Sequence, residues 1–231
     1  MQSEEDIQFY IIHCDVHADR YHHVDNLKTK IHNLNVWKGI CPLNNDLNLF
    51  SDYGLNAEKK NYKFKKGEIG CYLSHATLLK HIKENNHHNF TVILEDDIKI
   101  NYENITTKIK NILKNFNNFD ILYLGLLNEN KGKHVKDDIY ELDKENNIYG
   151  TQSYVINNKN IEKIYDCITH VTSPIDVQYE NVIKNNTLTA YVIYPWLFCQ
   201  DRDNFNSTIN LPLPPASYKL KRKKQRNLSK K

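Results

Sequence analysis

Phe90-Thr91-Val92-Ile93-Leu94-Glu95-Asp96-Asp97 places three consecutive acids directly after a run of apolar and β-branched residues. The run predicts a buried strand that delivers the carboxylates to its carboxyl edge, where α/β enzymes bind ligands. Adjacent acids repel one another in a half-buried position unless a cation or several hydrogen-bond donors offset their charge. We interpret them as a site for Mg²⁺ or Mn²⁺, which would also bind phosphate oxygens. Solvated acids at a strand end are the alternative.

Similar short segments recur along the chain and are bounded by polar, glycine or proline residues. They predict strands at residues 7–13, 90–94, 120–124, 152–156 and 188–194. Apolar residues at helical spacing within residues 105–116 and 161–168 predict two amphipathic helices that face the core. Strands that alternate with helices predict an α/β fold with a mostly parallel sheet flanked by helices, Rossmann-like in arrangement.

Length and charge predict one domain and a tail. A chain of 231 residues is long enough for a single α/β domain, which we place at residues 1–210. Residues 211–231 carry eight basic side chains and no acid, so the net charge of +3 divides into +8 for this segment and −5 for the rest. We therefore expect no nucleic-acid partner for the domain. The flexible basic tail suits peripheral contact with an anionic membrane, and a solvated tail without a partner is the alternative.

The N-terminus lacks the positive start and apolar centre of a signal peptide, and no later stretch is apolar enough to span a bilayer. The sequence thus predicts a soluble cytoplasmic protein whose only membrane contact is peripheral. The five cysteines form no Cys-x-x-Cys pair, and their odd number favours reduced thiols.

A second motif lies about 20 residues upstream of the acids: GEIGCYLSH at residues 67–75, followed by a helix-like stretch at 76–83. This order resembles glycosyltransferase family 25, which includes bacterial lipooligosaccharide galactosyltransferases and collagen galactosyltransferases. The resemblance covers roughly residues 7–210, because further segments also follow the family order. These segments are residues 9–14 with Arg20, 150–156, 174–176 and 194–200. His13 and Cys14 depart from the asparagine and leucine that are usual in the family.

The resemblance implies a fold of the GT-A type and a metal-dependent transfer, with inversion, of galactose or glucose from a UDP-sugar. The acceptor would be a hydroxyl of a glycan, glycolipid or protein. Asp97 is the first metal ligand that we predict, and Glu95, two residues away on the same side of a strand, would join it or hold the ribose. Asp96 would point to the opposite face. Asp201 is a further candidate ligand, with a self-paired surface loop as its alternative.

Other residues are assigned to the donor and the acceptor. Asp176 is the candidate general base, and a helix N-cap is its alternative. Ser74 and His75 would contact the donor from the start of a helix, where backbone amides favour phosphate, although His75 could instead be a buried, hydrogen-bonded histidine. Ile12 and Arg20 would lie beside the nucleotide.

Two further functions compete with this one. A zinc site built from Cys14 and the histidines of residues 13–23 matches no standard ligand spacing, so an exposed loop is favoured there. A catalytically inactive binding or scaffold module that uses the basic tail is the other alternative. The presence of Glu95, Asp97 and Asp176 argues against the inactive module, because a degenerate site would be free to lose its acids.

Overall fold

The computed structural model describes residues 6–58, 62–85 and 87–205. The strands are β1 Ile7–His13, β2 Leu34–Lys38, β3 Asn56–Ala57, β4 Phe90–Glu95, β5 Ile98–Ile100, β6 Ile121–Gly125, β7 His134–Lys136, β8 Ile139–Glu141, β9 Ser153–Asn157, β10 His170–Val171, β11 Ala190–Ile193 and β12 Phe198–Gln200. The helices are α1 Tyr21–Lys30, α2 Asn48–Asp52, α3 Lys66–Glu84, α4 Ile105–Asn115, α5 Ile161–Thr169 and α6 Ile175–Lys184. All five predicted strands and both predicted amphipathic helices are present.

Eight strands form the main sheet, in the order β2-β1-β4-β9-β6-β11-β8-β7. Strand β1 pairs in parallel with β2 and β4, and β11 pairs in parallel with β6. Because β9 is antiparallel to both β4 and β6, those two strands also run in the same direction. The predicted α/β fold with a mostly parallel sheet is therefore confirmed. The segment that enters β9 lies at the same edge as the carboxyl ends of β1, β4 and β6.

Helices cover both faces of the sheet. One buried cluster joins the sheet to α3, α5 and α6, and the other joins it to α1 and α4. The central strands are buried on both faces, which explains why β4 and β6 read as nearly continuous apolar runs rather than as alternating patterns. Apolar burial on both faces of the sheet fixes the strand ends, and the side chains that follow the strand ends are therefore held in defined positions.

Helix α3 corrects the predicted helix start. It begins at Lys66, so Ser74 and His75 lie in its middle, where their amides bond within the helix and cannot bind phosphate. Glu68 accepts a hydrogen bond from the Lys65 amide at 2.8 Å and stabilises the early start. Position 70 requires glycine although it lies inside the helix, because a Cβ there would lie 2.6 Å from the Ile40 carbonyl oxygen. Gly70 thus serves close packing between α3 and the loop after β2.

Within the described ranges, no helix is long and apolar enough to cross a membrane. The basic tail at residues 211–231 lies outside the described residues, as does the end of the predicted domain from residue 206. The division into domain and tail stays a prediction.

Candidate active site

A cleft opens at the carboxyl edge of β1 and β4, the edge predicted to bind ligands. Its walls come from the loops after β1 and β2, from α3, from the segment before β9 and from the start of α6. Seven of the predicted site residues line it: Ile12, Arg20, Ser74, His75, Glu95, Asp97 and Asp176. Gln200 and Arg202, the neighbours of Asp201, line it as well.

Strand β4 ends at Glu95, and Asp96 and Asp97 form the turn that leads into β5. The expectation that Asp96 would point to the opposite face from Asp97 is therefore wrong, because strict alternation holds only inside a strand. All three acids line the cleft, and Asp96 and Asp97 both contact Arg20.

Asp96 is fully paired. One carboxylate oxygen lies 2.6 Å from His13 Nδ1, and the other accepts a hydrogen bond from Arg20 Nη1. Burial alone would raise the pKa of Asp96, but the hydrogen bond with His13 and the charge of Arg20 overcome that effect and hold the pKa below its usual value. Asp96 is thus a stable anion inside the protein.

Asp97 has the opposite character. Its Oδ2 lies 3.5 Å from Arg20 Nη2, whereas its buried Oδ1 has no hydrogen-bond partner among the described residues. Burial and the nearby charge of Glu95 raise the pKa of Asp97 to about 7. A buried carboxylate that is under-bonded and crowded by another acid is a site that a cation would stabilise.

Glu95 is held by two neighbours. Its Oε1 accepts a hydrogen bond from the Thr151 hydroxyl at 2.8 Å and lies 3.3 Å from His75 Nε2. His75 Nδ1 in turn lies 2.9 Å from the Tyr154 hydroxyl, and the two rings stack. His75 is therefore the buried, hydrogen-bonded histidine of the alternative interpretation, and it orients Glu95 toward the cleft.

Asp176 is the second residue of α6, and Pro174 occupies the N-cap position. The N-cap alternative for Asp176 is therefore wrong in detail. Its carboxylate accepts hydrogen bonds from the amides of Val177, at 2.9 Å, and Gly150, at 3.3 Å. Burial raises the pKa of Asp176 although both amides act to lower it. A carboxylate whose pKa moves toward neutrality is better matched to accepting a proton.

Ser74 and Arg20 are engaged within the protein. Ser74 Oγ donates to the Gly70 carbonyl at 2.6 Å and accepts from the Ile40 amide at 2.8 Å, so it joins α3 to the loop after β2. Arg20 is buried between Asp96 and Asp97, and the ring of Phe205 lies over its guanidinium. Both residues line the cleft, and their contacts with the donor stay a prediction.

The loops after β1 and β2 are joined by a disulfide between Cys14 and Cys41, whose Cα atoms are 6.4 Å apart. The expectation of five reduced cysteines is therefore wrong for this pair. Sequence spacing concealed it, because the two cysteines are 27 positions apart in the chain, whereas the parallel pairing of β1 with β2 brings the carboxyl ends of these strands together. His17 lies beside the pair, and these three residues line one side of the cleft.

Most of the residues that build this cleft lie within a segment that matches a known protein family. Residues 6–179 match the model of glycosyltransferase family 25, described as an LPS biosynthesis protein. The chain belongs to glycosyltransferase family 25. The match covers every cleft wall except the segment around β12.

Individual relatives are more distant. The immunodominant envelope protein p35 of fowlpox virus (strain NVSL) is 32% identical over 131 residues, which are 52% of this chain and 40% of that protein. The family 25 chain thus matches less than half the length of this relative. Two solved structures share the α/β fold only loosely. Mannose-1-phosphate geranyltransferase from Thermus thermophilus has 7% identity, a TM-score of 0.40 and coverage of 84% of this chain and 76% of its own.

The second structure is a glycosyltransferase involved in the glycosylation of the major capsid of PBCV-1, with 10% identity and a TM-score of 0.35. That match covers 82% of this chain and 71% of the other chain.

Asp201 lies close to the acids through its backbone. Its amide donates to the Asp97 carbonyl at 2.7 Å, while its carboxylate accepts hydrogen bonds from the Asn204 side chain. In the part of the family 25 chain that the structure describes, Glu95, Asp97 and Asp201 do not bring three ligand atoms within 4.8 Å of one another. The role of Asp201 as a ligand stays a prediction.

Four residues that line the cleft were not assigned to the transfer site from the sequence: Cys14, Cys41, Thr151 and Gln152. The same holds for His13, the partner of Asp96. In the sequence, His13 and Cys14 stand out as departures from the family order and as members of the zinc alternative. Their position at the end of β1 places them at the ligand edge. Thr151 and Gln152 belong to the segment that resembles the family, yet neither is charged, and polar side chains without charge give a weak signal in a single sequence.

Proposed function

We propose that this chain is a metal-dependent, inverting glycosyltransferase of the GT-A type that transfers galactose or glucose from a UDP-sugar to a hydroxyl acceptor. The observation that carries the proposal is the gathering of Glu95, Asp97 and Asp176 in one cleft at the carboxyl edge of the sheet. The membership in family 25 supports sugar transfer as the reaction class.

The residues fit a divalent cation. Asp97 offers a buried oxygen that makes no hydrogen bond within the described chain, and the raised pKa of its carboxyl reflects burial and the repulsion from Glu95 that a cation would relieve. Asp97 and Glu95 would hold the cation, with Asp201 as a further ligand. A bound Mn²⁺ or Mg²⁺ supplies electrostatic stabilisation of the diphosphate that leaves as the sugar is transferred.

Asp176 is the group that we assign to the acceptor. An inverting transfer requires a base that accepts the proton of the attacking hydroxyl on the face of the sugar opposite the diphosphate. Asp176 is mostly buried and is fixed by the amides of Gly150 and Val177, so its carboxylate has a defined direction. Burial, which raises its pKa, also makes this carboxylate a stronger base than an exposed one.

A competing function is a binding module that has lost catalysis and makes contact through the basic tail. Arg20 already brings a positive charge to Asp97, and this contact is compatible with a cleft that holds no metal. The two functions differ in one respect that can be measured. The enzyme requires a divalent cation to use its donor, whereas the module uses no donor.

The acceptor and the setting belong to the proposal as well. A glycan, glycolipid or protein hydroxyl in the cytoplasm or at the cytoplasmic face of a membrane suits the chain, with the basic tail as the membrane contact. The similarity to a fowlpox protein supports a viral setting. Nucleic acid is not among the proposed partners.

The deciding experiment measures donor binding and hydrolysis for UDP-, GDP- and CMP-sugars, with Mn²⁺ and with a chelator. Wild type is compared with Asp97→Ala and with Asp203→Ala, an exposed acid two residues beyond Asp201. We expect cation-dependent use of a UDP-hexose that Asp97→Ala abolishes and Asp203→Ala leaves intact. Binding of no donor in the presence of the cation would favour the inactive module.

A further inference from the structure

Gln152 has an unusual side chain among the residues that line the cleft. It is 1% exposed, and neither its amide oxygen nor its amide nitrogen has a hydrogen-bond partner among the described residues. Leaving a buried polar group without a partner costs about 1–3 kcal/mol, so such groups are rare in native proteins. A glutamine in this position indicates that the partner is a ligand of the cleft.

A second buried glutamine shows what a structural amide looks like in this protein. Gln178, in α6, donates to the carbonyls of Cys167 and His170, each at 3.0 Å, and accepts from the Thr172 hydroxyl at 2.8 Å. Its bonding capacity is used to join α5 to α6. Gln152 has the same chemistry and comparable burial, yet its amide makes none of these contacts.

The backbone around Gln152 directs it to the reacting region. Gly150 donates its amide to Asp176, Thr151 donates its hydroxyl to Glu95, and Gln152 follows next in the chain. Gly150 has a φ of +96°, and a Cβ at this position would collide with Gln152 Oε1. The absence of a side chain at Gly150 therefore makes room for the Gln152 amide beside the residue whose backbone amide binds Asp176.

We propose that Gln152 recognises the hydroxyl groups of the transferred hexose and sets the choice of donor sugar. This inference rests on the proposed function. The amide presents one acceptor and a pair of donors side by side, which complements two neighbouring hydroxyls of a pyranose. The sugar ring must lie beside Asp176, the base that activates the acceptor. Gly150 contacts both residues, because its amide binds Asp176 and its Cα lies against the Gln152 amide. The nucleobase does not have to lie beside Asp176, so the sugar is the better match for the Gln152 amide.

The test compares Gln152→Leu with wild type on UDP-galactose and UDP-glucose, with kcat and KM measured separately for each donor. We expect kcat/KM for the preferred sugar to fall about 10- to 100-fold and the discrimination between the two epimers to fall at least tenfold, because buried polar groups that lose their partner carry selectivity. Gln152→Glu keeps an acceptor oxygen. Its epimer ratio should differ from that of Gln152→Leu without returning to the wild-type value.

The control is Gln178→Leu with the thermal stability of all variants recorded. Gln178→Leu should lower the melting temperature and leave the epimer ratio unchanged, whereas Gln152→Leu should leave the melting temperature the same or raise it. An unchanged epimer ratio in both Gln152 variants, with an active wild type, would overturn the proposal. So would a loss of selectivity for UDP over other nucleotides with the epimer ratio intact. If wild type itself uses no UDP-hexose, the proposed function fails first.

Discussion

Asp96 and Asp97 are adjacent in the chain, equally buried and both in contact with Arg20, yet their hydrogen bonding differs. Asp96 belongs to a paired wall of the cleft, formed by His13, Arg20, Asp96 and the Cys14–Cys41 disulfide. Asp97 belongs to an open wall, formed with Gln152 and Asp176. The pKa of Asp96 lies below its usual value because of its partners, whereas burial and Glu95 raise the pKa of Asp97 to about 7.

We expect this difference to separate acids that stabilise the fold from acids that bind a ligand. In the paired wall, both carboxylate oxygens of Asp96 are bonded within the protein, so we expect its residues to contribute mainly to stability. In the open wall, unsatisfied atoms and raised pKa values carry a cost in the ligand-free protein, and that cost is recovered when a ligand binds. Substitutions in the two walls should therefore have opposite effects on stability.

The largest effect is expected from Asp96→Asn, which removes the charge that neutralises buried Arg20. Breaking a buried ion pair costs about 3–5 kcal/mol, so denaturant unfolding should show a loss of that size. The double variant Arg20→Gln with Asp96→Asn should lose less than the sum of the single variants, because the buried guanidinium that would be left without Asp96 is also removed. If the losses in unfolding free energy were additive, Arg20 and Asp96 would not be coupled, and their ion pair would not stabilise the paired wall.

The next effect concerns the disulfide in the same wall. A bridge that closes a loop of 27 residues restricts the unfolded chain, and the loop-entropy relation assigns it about 3.5 kcal/mol. Cys14→Ser should therefore lower the free energy of unfolding by roughly 2–4 kcal/mol, and a reductant should produce the same change in wild type but none in the variant. Cys199→Ser, at a free cysteine, is the matched control. Equal stability of reduced and oxidised wild type would contradict a structural bridge.

Much of the difference between the paired wall and the open wall could not be predicted from the sequence, for physical reasons. The strand that ends at Glu95 and the stripes of α4 and α5 were predictable, because burial imposes a period on the residues. The pairing of His13 and Arg20 with Asp96 was not, because it depends on the parallel alignment of β1 with β4 across about 80 residues. The start of α3 was missed since glycine signals a loop locally, whereas Gly70 is selected by its contact with Ile40.

A third prediction sharpens the role of the open wall. Asp176→Asn keeps the shape of the side chain and its bond from the Gly150 amide but removes the base. We expect kcat to fall at least 10²-fold, about 2.7 kcal/mol, with donor KM changed less than threefold. Steady-state kinetics with saturating acceptor measure both. A change confined to KM would assign Asp176 to substrate binding instead of proton transfer.

The smallest effect is a gain in stability. The Asp97 carboxyl has a pKa of about 7 in the folded protein and about 3.9 in an unfolded chain, so the folded state holds the proton over that interval. Its contribution to stability is fully present below about pH 4 and is lost as the pH rises through 7. Asp97→Asn, which has no charge at any pH, should therefore be more stable than wild type by roughly 2 kcal/mol at pH 8 and about equal to it at pH 4.

Urea unfolding at the two pH values, without divalent cations, measures this difference, and Asp203→Asn at an exposed position serves as the control. Added Mn²⁺ should reduce the advantage of Asp97→Asn at pH 8, because the cation stabilises only a protein that retains the carboxylate. The opposite pH trend, with wild type more stable at pH 8, would mean that Asp97 is satisfied as an anion by Arg20 alone. Asp97 would then belong with Asp96 in the paired wall, and the case for a metal at this edge would pass to Glu95.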